Sequence, residues 1–199
     1  METAALQMIN LKYPVVLASN SPRRKELLEK LEIPFTVQTV DVIETIPNHV
    51  SPLETALYLA NLKSTAHAHL AINKIVITSD TIVLSNNKIL GKPTSDLKAF
   101  EILESLAGKT HKVITAICLR VNNDLHSFDV STEVSFGPIS PKEIQHYIQS
   151  GRATDKAGAY GIQDWIGMIA VEKINGSYYN VMGLPVYELY LNLKKYYSL

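Results

Sequence analysis

The sequence has one cysteine, no excess charge of either sign and no long hydrophobic run, and each absence excludes a class of protein. A lone Cys118 cannot form an internal disulfide, and such a thiol usually behaves as a small buried hydrophobe. Lys and Arg total 19 against 19 for Asp and Glu, so no overall field recruits nucleic acid or an anionic membrane. No apolar run approaches the ~20 residues that span a bilayer. We therefore expect a reducing, cytoplasmic setting, with neither nucleic acid nor membrane as a partner.

The remaining composition is that of a globular protein with an ordinary core. Hydrophobic residues make up 46% and charged residues 19% of the 199 residues, which are enough to bury a sizeable core. No linker, repeat or low-complexity tract divides the sequence, so we expect one domain over residues 1–199. Residues 1–13 show neither the basic segment nor the apolar stretch of a targeting leader. A Walker phosphate loop and a dinucleotide-binding fingerprint are also missing.

Hydrophobic periodicity and turn residues predict alternating strands and helices. Strands are expected at 15–18, 35–40, 74–84, 88–90, 112–121, 125–136 and 168–174, and helices directly after Ser21 and at 51–71, 95–107, 140–151 and 185–197. Capping boxes, Ser51 with Glu54 and Ser140 with Glu143, begin two of these helices. A pair of asparagines at 86–87 suits a tight hairpin. This alternation predicts an α/β fold with a mixed sheet flanked by helices.

The turn between the first strand and the first helix places two cations where a helix favours anions. Ser21 is a good N-cap and Pro22 suits the first helical position, so Arg23 and Arg24 fall in the first turn. A positive charge there typically costs ~0.3–1 kcal/mol, and a bound polyanion such as phosphate would reverse the sign of that contribution. The alternative is a pair of solvated arginines on a surface helix.

Asp80 is the best acidic candidate for acid–base or metal chemistry. It follows the apolar run 75–77, and a carboxylate at the carboxyl tip of a buried strand is where α/β folds commonly hold ligands. The alternative is a strand-end residue that caps backbone amides. A regular hairpin would place Lys92 opposite Thr81 and so near Asp80, although strict alternation puts Lys92 and Asp80 on opposite faces unless the strand twists or bulges.

Two further segments offer polar groups beside apolar ones. Lys63 shares a helical stripe with Ala56, Leu59 and Ala60, so it either points at a ligand or extends past the core into solvent. The loop 155–163 combines a cation, two glycines and an amide, which is a weak signal for a ligand site because glycines also serve any tight turn.

The positions of the histidines in the sequence indicate structural roles rather than metal binding or catalysis. His67 and His69 are two positions apart on a predicted helix and point to different sides, which is unsuitable for shared metal ligation. His111 follows a helix stop, and we expect it to make a local hydrogen bond.

Four ordered segments of the chain resemble the Maf proteins, nucleoside triphosphate pyrophosphatases once described as septum-formation inhibitors. Residues 17–28 resemble the opening Ser-x-Ser-Pro-Arg-Arg motif, and 79–93 resemble the Asp-Thr block that ends in Gly-Lys-Pro. Residues 155–163 resemble the block Asp-Lys-Ala-Gly-Ala-Tyr-Gly-Ile-Gln, and 176–185 resemble the closing motif. The match covers nearly the whole chain. It implies a Maf/ITPase-like fold with two lobes around a substrate cleft.

The resemblance also implies roles for individual residues. Asp80 would be the acidic catalytic residue, and Glu44 would join it in holding a divalent cation, Mg²⁺ or Mn²⁺. The side chains that line the phosphate side would be Ser19, Ser21, Arg23, Arg24, Lys63, Lys92 and Lys156. The positions that set specificity, Arg23, Thr81 and Gln163, all resemble the dTTP- and UTP-hydrolysing branch rather than the 7-methyl-GTP branch. The chain departs from many relatives at residues 164–166, next to the expected base pocket.

The implied reaction is attack of water at the α-phosphate, which releases a nucleoside monophosphate and pyrophosphate. The Gln163 amide can pair with the N3–H and O4 edge of uracil or thymine. One alternative is a pyrophosphatase for 7-methyl-GTP or another modified nucleotide, with Trp165 stacking on a larger base. Another is a nucleotide-sensing regulator of division with negligible hydrolysis. The resemblance suggests a homodimer.

Overall fold

One mixed sheet carries the strands of the computed structural model, which describes residues 10–198. The strands are β1 (Val15–Leu17), β2 (Phe35–Val37), β3 (Ile75–Ser85), β4 (Lys88–Leu90), β5 (Thr110–Val121), β6 (Asp124–Phe136) and β7 (Val171–Asn175). Their order is β2-β1-β3-β5-β6-β7, with β4 also paired to β3. β1 runs parallel to β2 and β3, and the other pairs are antiparallel, so the predicted mixed sheet is confirmed. Most of the segment 1–13, where we expect no leader, lies outside the described residues.

Helices cover both faces of this sheet. They are α1 (Pro22–Lys30), α2 (Thr55–Ala66), α3 (Asp96–Leu106), α4 (Pro141–Gln149), α5 (Trp165–Ala170), α6 (Tyr178–Met182) and α7 (Val186–Leu193), with short 3₁₀ turns at Ala68–Leu70, Ala157–Ala159 and Lys194–Tyr196. No helix within residues 10–198 has the length and apolar character needed to cross a bilayer.

Local sequence signals located several boundaries correctly. Ser140 and Glu143 form both hydrogen bonds of the capping box at the start of α4. The hairpin between β3 and β4 turns at Asn86 and Asn87, whose φ angles of 48° and 59° are the left-handed values that asparagine tolerates. The N-cap prediction at Ser21 is also confirmed, since its hydroxyl accepts a hydrogen bond from the Arg24 amide at 3.5 Å.

Other boundaries differ from the expectation. Ser51 does bond Glu54, but residues 52–54 form a turn and α2 begins at Thr55; it ends at Ala66 rather than at 71. The predicted strand at 168–174 begins only at Val171, because residues 168–170 complete α5. A short apolar run of this kind does not distinguish helix from strand. The sequence reading missed α6 altogether, and the closing helix α7 ends at Leu193 before a 3₁₀ turn.

β3 is buried on both faces and organises the core. Thr78, Ile82 and Leu84 lie on the face covered by α2, where the hydroxyl of Thr78 donates to the Ala60 carbonyl at 2.9 Å. Cys118 lies in the same cluster, fully buried, and burial raises the pKa of its thiol to about 11, as expected for a thiol that packs like an apolar group. The opposite face of β3 contributes to the larger core with α1, α3 and α7.

A gap beside β3 positions the site. β1 ends at Leu17, opposite Ile77, and β4 begins to pair only at Val83. Residues 78–82 of β3 therefore have no strand neighbour on that edge. Asp80 lies in this gap, in the middle of β3, and not at the strand tip where we expected it. The apolar run 75–77 suggested an early strand end, but the polar residues that follow continue the strand as part of the site.

His111 is one of the buried titratable groups of the core. It lies in β5, 2% exposed, with its Nε2 2.7 Å from the hydroxyl of Tyr160, so the expected local hydrogen bond is confirmed. Its ring also packs edge-on to Phe136, with centroids 5.1 Å apart. Burial lowers the pKa of His111 from 6.5 to about 4, which keeps the ring neutral.

This burial makes folding stability depend on pH. The unfolded chain takes up a proton at His111 near pH 6.5 and the folded chain only near pH 4, so stability falls as the pH drops through that window. The loss attributable to His111 reaches roughly 3 kcal/mol at pH 4. We expect His111→Gln to remove this part of the pH dependence, measured by urea unfolding between pH 4.5 and 7. The exposed His49→Gln serves as the control, and equal pH dependence in both variants would contradict the assignment.

Candidate active site

The residues predicted for the site converge on one cavity of about 450 Å³ at the gap beside β3. The cavity is lined by Ser21, Arg23, Arg24, Glu44, Lys63, Asp80, Thr81, Lys92, Lys156 and Gln163. Ser19 lines an adjoining cavity that shares Arg23, Arg24 and Lys63 with the first. Because strand alternation places Asp80 and Thr81 on opposite faces, only the open edge of β3 lets one cavity reach both side chains. No bulge in β3 is needed for this convergence.

Lys63 joins two carboxylates at the floor of the cavity. Its Nζ lies 2.5 Å from Oδ1 of Asp80 and 3.0 Å from Oε1 of Glu44. The Lys63 side chain is 17% exposed, so the alternative in which it extends past the core into solvent is wrong. Glu44 comes from the irregular segment between β2 and α2, about twenty residues before Lys63. Sequence spacing did not indicate this contact.

The environment of Asp80 has opposing effects on its charge. Burial raises the pKa of the Asp80 carboxyl, while the neighbouring charges of Lys63 and Arg24 act to lower it, with burial the stronger effect. A carboxyl group that is buried, and whose pKa is raised against adjacent cations, is typical of groups that exchange protons or bind ions. Asp80 bonds a lysine in the middle of a strand, so the turn-capping alternative does not describe it.

A third carboxylate in the cavity lining, Asp155, links two cations. Its Oδ2 lies 2.7 Å from Nη1 of Arg23, and its Oδ1 lies 2.6 Å from Nζ of Lys156. Partial burial acts to raise the pKa of Asp155, but hydrogen bonds from Lys156 and Arg23 outweigh it and hold the pKa below its usual value. Lys156 also donates to the Arg152 carbonyl at 2.7 Å. Asp155 was not among the predicted site residues, although its position next to Lys156 was a signal for it.

Arg24 is held by the protein through four hydrogen bonds. Its Nε donates to the carbonyl of Gly183 at 2.9 Å, and its Nη1 donates to the carbonyl of Ser79 at 2.8 Å and the hydroxyl of Ser19 at 3.3 Å. Its Nη2 donates to the hydroxyl of Thr81 at 3.1 Å. These acceptors offset the cost of a cation in the first turn of α1. Burial lowers the pKa of Arg24, and the charge of nearby Asp80 opposes that effect.

Lys92 and Gln163 complete the lining. β4 ends at Leu90, so the regular pairing that would place Lys92 opposite Thr81 does not extend that far. Lys92 nevertheless lines the cavity with Asp80, although no ion pair joins the two among residues 10–198. The amide oxygen of Gln163 is buried without a hydrogen-bond partner, which leaves it available to a ligand.

Residues 164–166, where the sequence suggested a departure from the family pattern, are absent from the lining of the cavity. Oδ2 of Asp164 accepts a hydrogen bond from the Tyr147 hydroxyl at 2.8 Å and lies 3.4 Å from Nζ of Lys156. Trp165 packs edge-on to His146, with ring centroids 4.9 Å apart, and is absent from the lining of both described cavities. The geometry therefore gives no support to stacking of Trp165 on a purine.

The loop 157–159 closes the cavity over β3. Gly158 has a φ of 73°, and a Cβ there would lie 2.9 Å from a methyl group of Val83. Its amide donates to the Gly91 carbonyl at 3.2 Å, which ties the loop to the chain just after β4. Only glycine allows this close approach.

Together, the mixed sheet and the site define an α/β protein with a cavity in which cationic side chains outnumber carboxylates. The lining holds five cationic side chains against three carboxylates, and each carboxylate contacts a cation. Comparison with known proteins then places the chain more closely. The family model described as "Maf-like protein" matches residues 14–196, and the chain belongs to this family.

Curated relatives match over nearly their full length. The protein of Phocaeicola vulgatus is 48% identical over 92% of this chain and 96% of its own, and that of Bacteroides thetaiotaomicron is 44% identical over the same shares. The protein of Christiangramia forsetii is 42% identical over 96% of this chain and 97% of its own. All three carry the name dTTP/UTP pyrophosphatase. A solved Staphylococcus aureus Ham1 protein aligns with a TM-score of 0.43 and 19% identity, over 62% of this chain and 71% of its own.

The two adjacent arginines of α1 should respond differently to the same substitution. Arg24→Lys removes several hydrogen bonds of a buried guanidinium and is expected to lower the free energy of unfolding by about 2 kcal/mol or more. Arg23→Lys disturbs an ion pair to a half-exposed Asp155 and should cost less than about 1 kcal/mol. Urea unfolding of the two variants provides the comparison. Equal losses would show that the four bonds of Arg24 do not stabilise the fold.

Proposed function

We propose that this protein hydrolyses nucleoside triphosphates, above all dTTP and UTP, to the nucleoside monophosphate and pyrophosphate, an activity that clears nucleotides from the cellular pool. The observation that carries the proposal is the convergence of Arg23, Lys63, Lys92 and Lys156 on one cavity with Asp80. The names of relatives more than 40% identical supply the substrate class.

The cations would bind and orient the triphosphate. Each phosphate oxygen needs a hydrogen-bond donor or a positive charge, and the negative charge that develops on the leaving pyrophosphate needs further stabilisation. Arg23 and Lys156 are paired with Asp155, and Lys63 is paired with Asp80 and Glu44, so two separate ion clusters offer cations to a triphosphate chain in the cavity. Binding would compete with Asp155 for Arg23 and Lys156, because an arriving phosphate offers the same kind of oxygen ligand.

Asp80 is the candidate to act on the attacking water. Its raised pKa makes it a better proton acceptor than an ordinary carboxylate, provided that it is ionised at the working pH. Before a ligand binds, Lys63 holds the Asp80 carboxyl in place through the 2.5 Å contact, and its charge acts to lower the pKa of that group against the effect of burial. These assignments of Asp80, and of Ser19, Ser21 and Arg24 to the phosphate side, are part of the proposal.

The donor set also suits a divalent cation, Mg²⁺ or Mn²⁺. Asp80 and Glu44 present oxygens to one point, now held by the ammonium of Lys63, so the two carboxylates could share an ion after Lys63 turns to the phosphates. Within residues 10–198, no group of three His, Cys, Asp or Glu side chains is placed to hold a metal ion. Mg²⁺ usually binds through one or two carboxylates plus substrate oxygens, and Asp80 with Glu44 offers two. Such an ion would supply Lewis-acid stabilisation of phosphate charge.

The proposal extends to setting and assembly. The buried free thiol of Cys118 suits a reducing cytoplasm, and we propose a homodimer on the family resemblance. Sedimentation velocity at micromolar concentration should show a species of about twice 22.1 kDa, and a monomer throughout would contradict the dimer.

A panel of nucleoside triphosphates tests the proposed activity. With Mg²⁺ or Mn²⁺ present, dTTP and UTP should give pyrophosphate faster than 7-methyl-GTP and purine triphosphates, and a chelator should suppress the release. Negligible turnover of every nucleotide, with binding retained, would instead favour a sensing module.

We expect Asp80→Asn to lower turnover at least about 100-fold without unfolding the protein. Asp129→Asn, at an exposed carboxylate on β6, is the matched control. Near-normal turnover by Asp80→Asn would remove Asp80 from the mechanism.

Gln163 should influence base recognition. Its amide can donate to O4 and accept from N3–H of uracil or thymine, whereas a glutamate carboxylate only accepts. Gln163→Glu should therefore lower kcat/KM for UTP and dTTP by about tenfold or more, since a buried polar partner is left unmatched. The exposed Gln145→Glu on α4 is the control. An unchanged substrate profile in Gln163→Glu would rule out the amide contact.

A further inference from the structure

A line of hydroxyl groups leads away from Arg24 into the core. Nη2 of Arg24 donates to Oγ1 of Thr81 at 3.1 Å, and Oγ1 of Thr81 lies 3.0 Å from Oγ1 of Thr115 on the neighbouring strand β5. Oγ1 of Thr115 in turn lies 2.9 Å from the backbone carbonyl of Asn180 in α6. Thr81 lines the cavity, whereas Thr115 is fully buried and does not.

The two ends of this line fix the direction of every proton in it. Arg24 can only donate, and a carbonyl can only accept. Thr115 must therefore donate its one hydroxyl proton to the Asn180 carbonyl. The hydrogen bond between the two threonines then has a single solution, in which Thr81 donates to Thr115.

The far end of the line is anchored. The Asn180 side chain is fully buried, and its Nδ2 donates to the carbonyl of Val113 at 3.0 Å and the hydroxyl of Thr132 at 2.9 Å. Its backbone amide is capped by the hydroxyl of Ser177 at 3.2 Å. The carbonyl that receives the Thr115 proton therefore cannot turn away without breaking several buried bonds.

The Thr81 hydroxyl consequently faces the cavity as an acceptor alone. Its proton points to Thr115, one lone pair receives Arg24, and the remaining lone pair is open to a ligand. Gly183 lies beside it, and a Cβ there would come within 3.4 Å of Oγ1 of Thr81, so the missing side chain leaves that approach open.

We propose that Thr115 is a positioning residue that sets the base preference of the site by holding the hydroxyl of Thr81 as an obligate acceptor. An obligate acceptor at Thr81 shares the N3–H of uracil or thymine with the Gln163 amide oxygen in a three-centre hydrogen bond, and it opposes the N3 lone pair of cytosine. Thr115 acts through Thr81 and does not touch the base. The inference rests on the proposed hydrolysis of pyrimidine triphosphates and adds the source of its selectivity.

Removing the Thr115 hydroxyl tests this assignment. In Thr115→Val the Thr81 proton is released and can point into the cavity, where it can serve cytosine. The ratio of kcat/KM for UTP to that for CTP should fall about tenfold, which corresponds to one hydrogen bond of about 1.4 kcal/mol. The relative gain should appear mainly in KM for CTP, because the phosphate-side groups are unchanged.

Two matched variants distinguish a change in the hydrogen-bond direction at Thr81 from general damage to the site. Thr115→Ser keeps a hydroxyl between the same partners and should restore the wild-type ratio. Thr132→Val removes a hydroxyl that also supports Asn180 but lies away from Thr81, so it should leave the ratio unchanged. A ratio in Thr115→Val equal to that of the wild type, or an equal shift in Thr132→Val, would overturn the proposal.

A second substitution keeps the proposal falsifiable if Thr115→Val fails to fold. Thr81→Val removes the acceptor itself, so turnover of UTP should fall more than turnover of CTP. A greater loss for CTP would mean that Thr81 donates to the base, contrary to the proposal. Measurements on the wild-type protein test the proposed function separately, because a wild type that releases pyrophosphate from neither nucleotide would refute the activity. If the wild type is active but the UTP-to-CTP ratio of kcat/KM does not change as expected in the variants, only the role of Thr115 is refuted.

Discussion

The gap beside β3 is the constraint on which the site depends. Between Ile77, opposite the end of β1, and Val83, opposite the end of β4 at Leu90, one edge of the central strand has no strand partner. Side chains from both of its faces reach the same space there. Asp80 comes from the face covered by α2, and Thr81 from the face of α1 and α6. A continuous sheet would separate the carboxyl group of Asp80 from the hydroxyl group of Thr81 by the full thickness of the strand.

Opposite charges fill this gap and hold it in shape. Lys63 lies between Asp80 and Glu44, and Asp155 lies between Arg23 and Lys156, so the cavity contains two ion clusters rather than isolated charges. Burying such charges is costly unless they are paired, and the pairs form without a ligand. Under the proposed function, a triphosphate would take the place of the carboxylates beside Arg23 and Lys156, and a divalent ion would take the place of the Lys63 ammonium between Asp80 and Glu44.

The sequence predicted what short-range chemistry determines. The capping box at Ser140, the asparagine turn of the β3–β4 hairpin and the mixed α/β class follow from local rules. The resemblance to the Maf proteins, and not local rules, selected ten residues that line one cavity. Contacts across the fold could not be predicted in this way. The bond from Glu44 to Lys63 depends on an irregular segment, and the role of Asn180 depends on α6, a five-residue helix too short to show periodicity. We expected Asp80 at a strand end because polar residues follow the apolar run 75–77. Those polar residues in fact continue the strand, since a site within a sheet needs polar side chains in the middle of a strand.

The position of bond cleavage tests the central claim most directly, because the cations of this cavity would orient the triphosphate for attack at one phosphorus atom. Hydrolysis of UTP in ¹⁸O-labelled water, followed by mass spectrometry of the products, reports where water attacks. The account predicts that the label appears in UMP and that pyrophosphate is released unlabelled. Label in pyrophosphate, or release of UDP and inorganic phosphate, would contradict it.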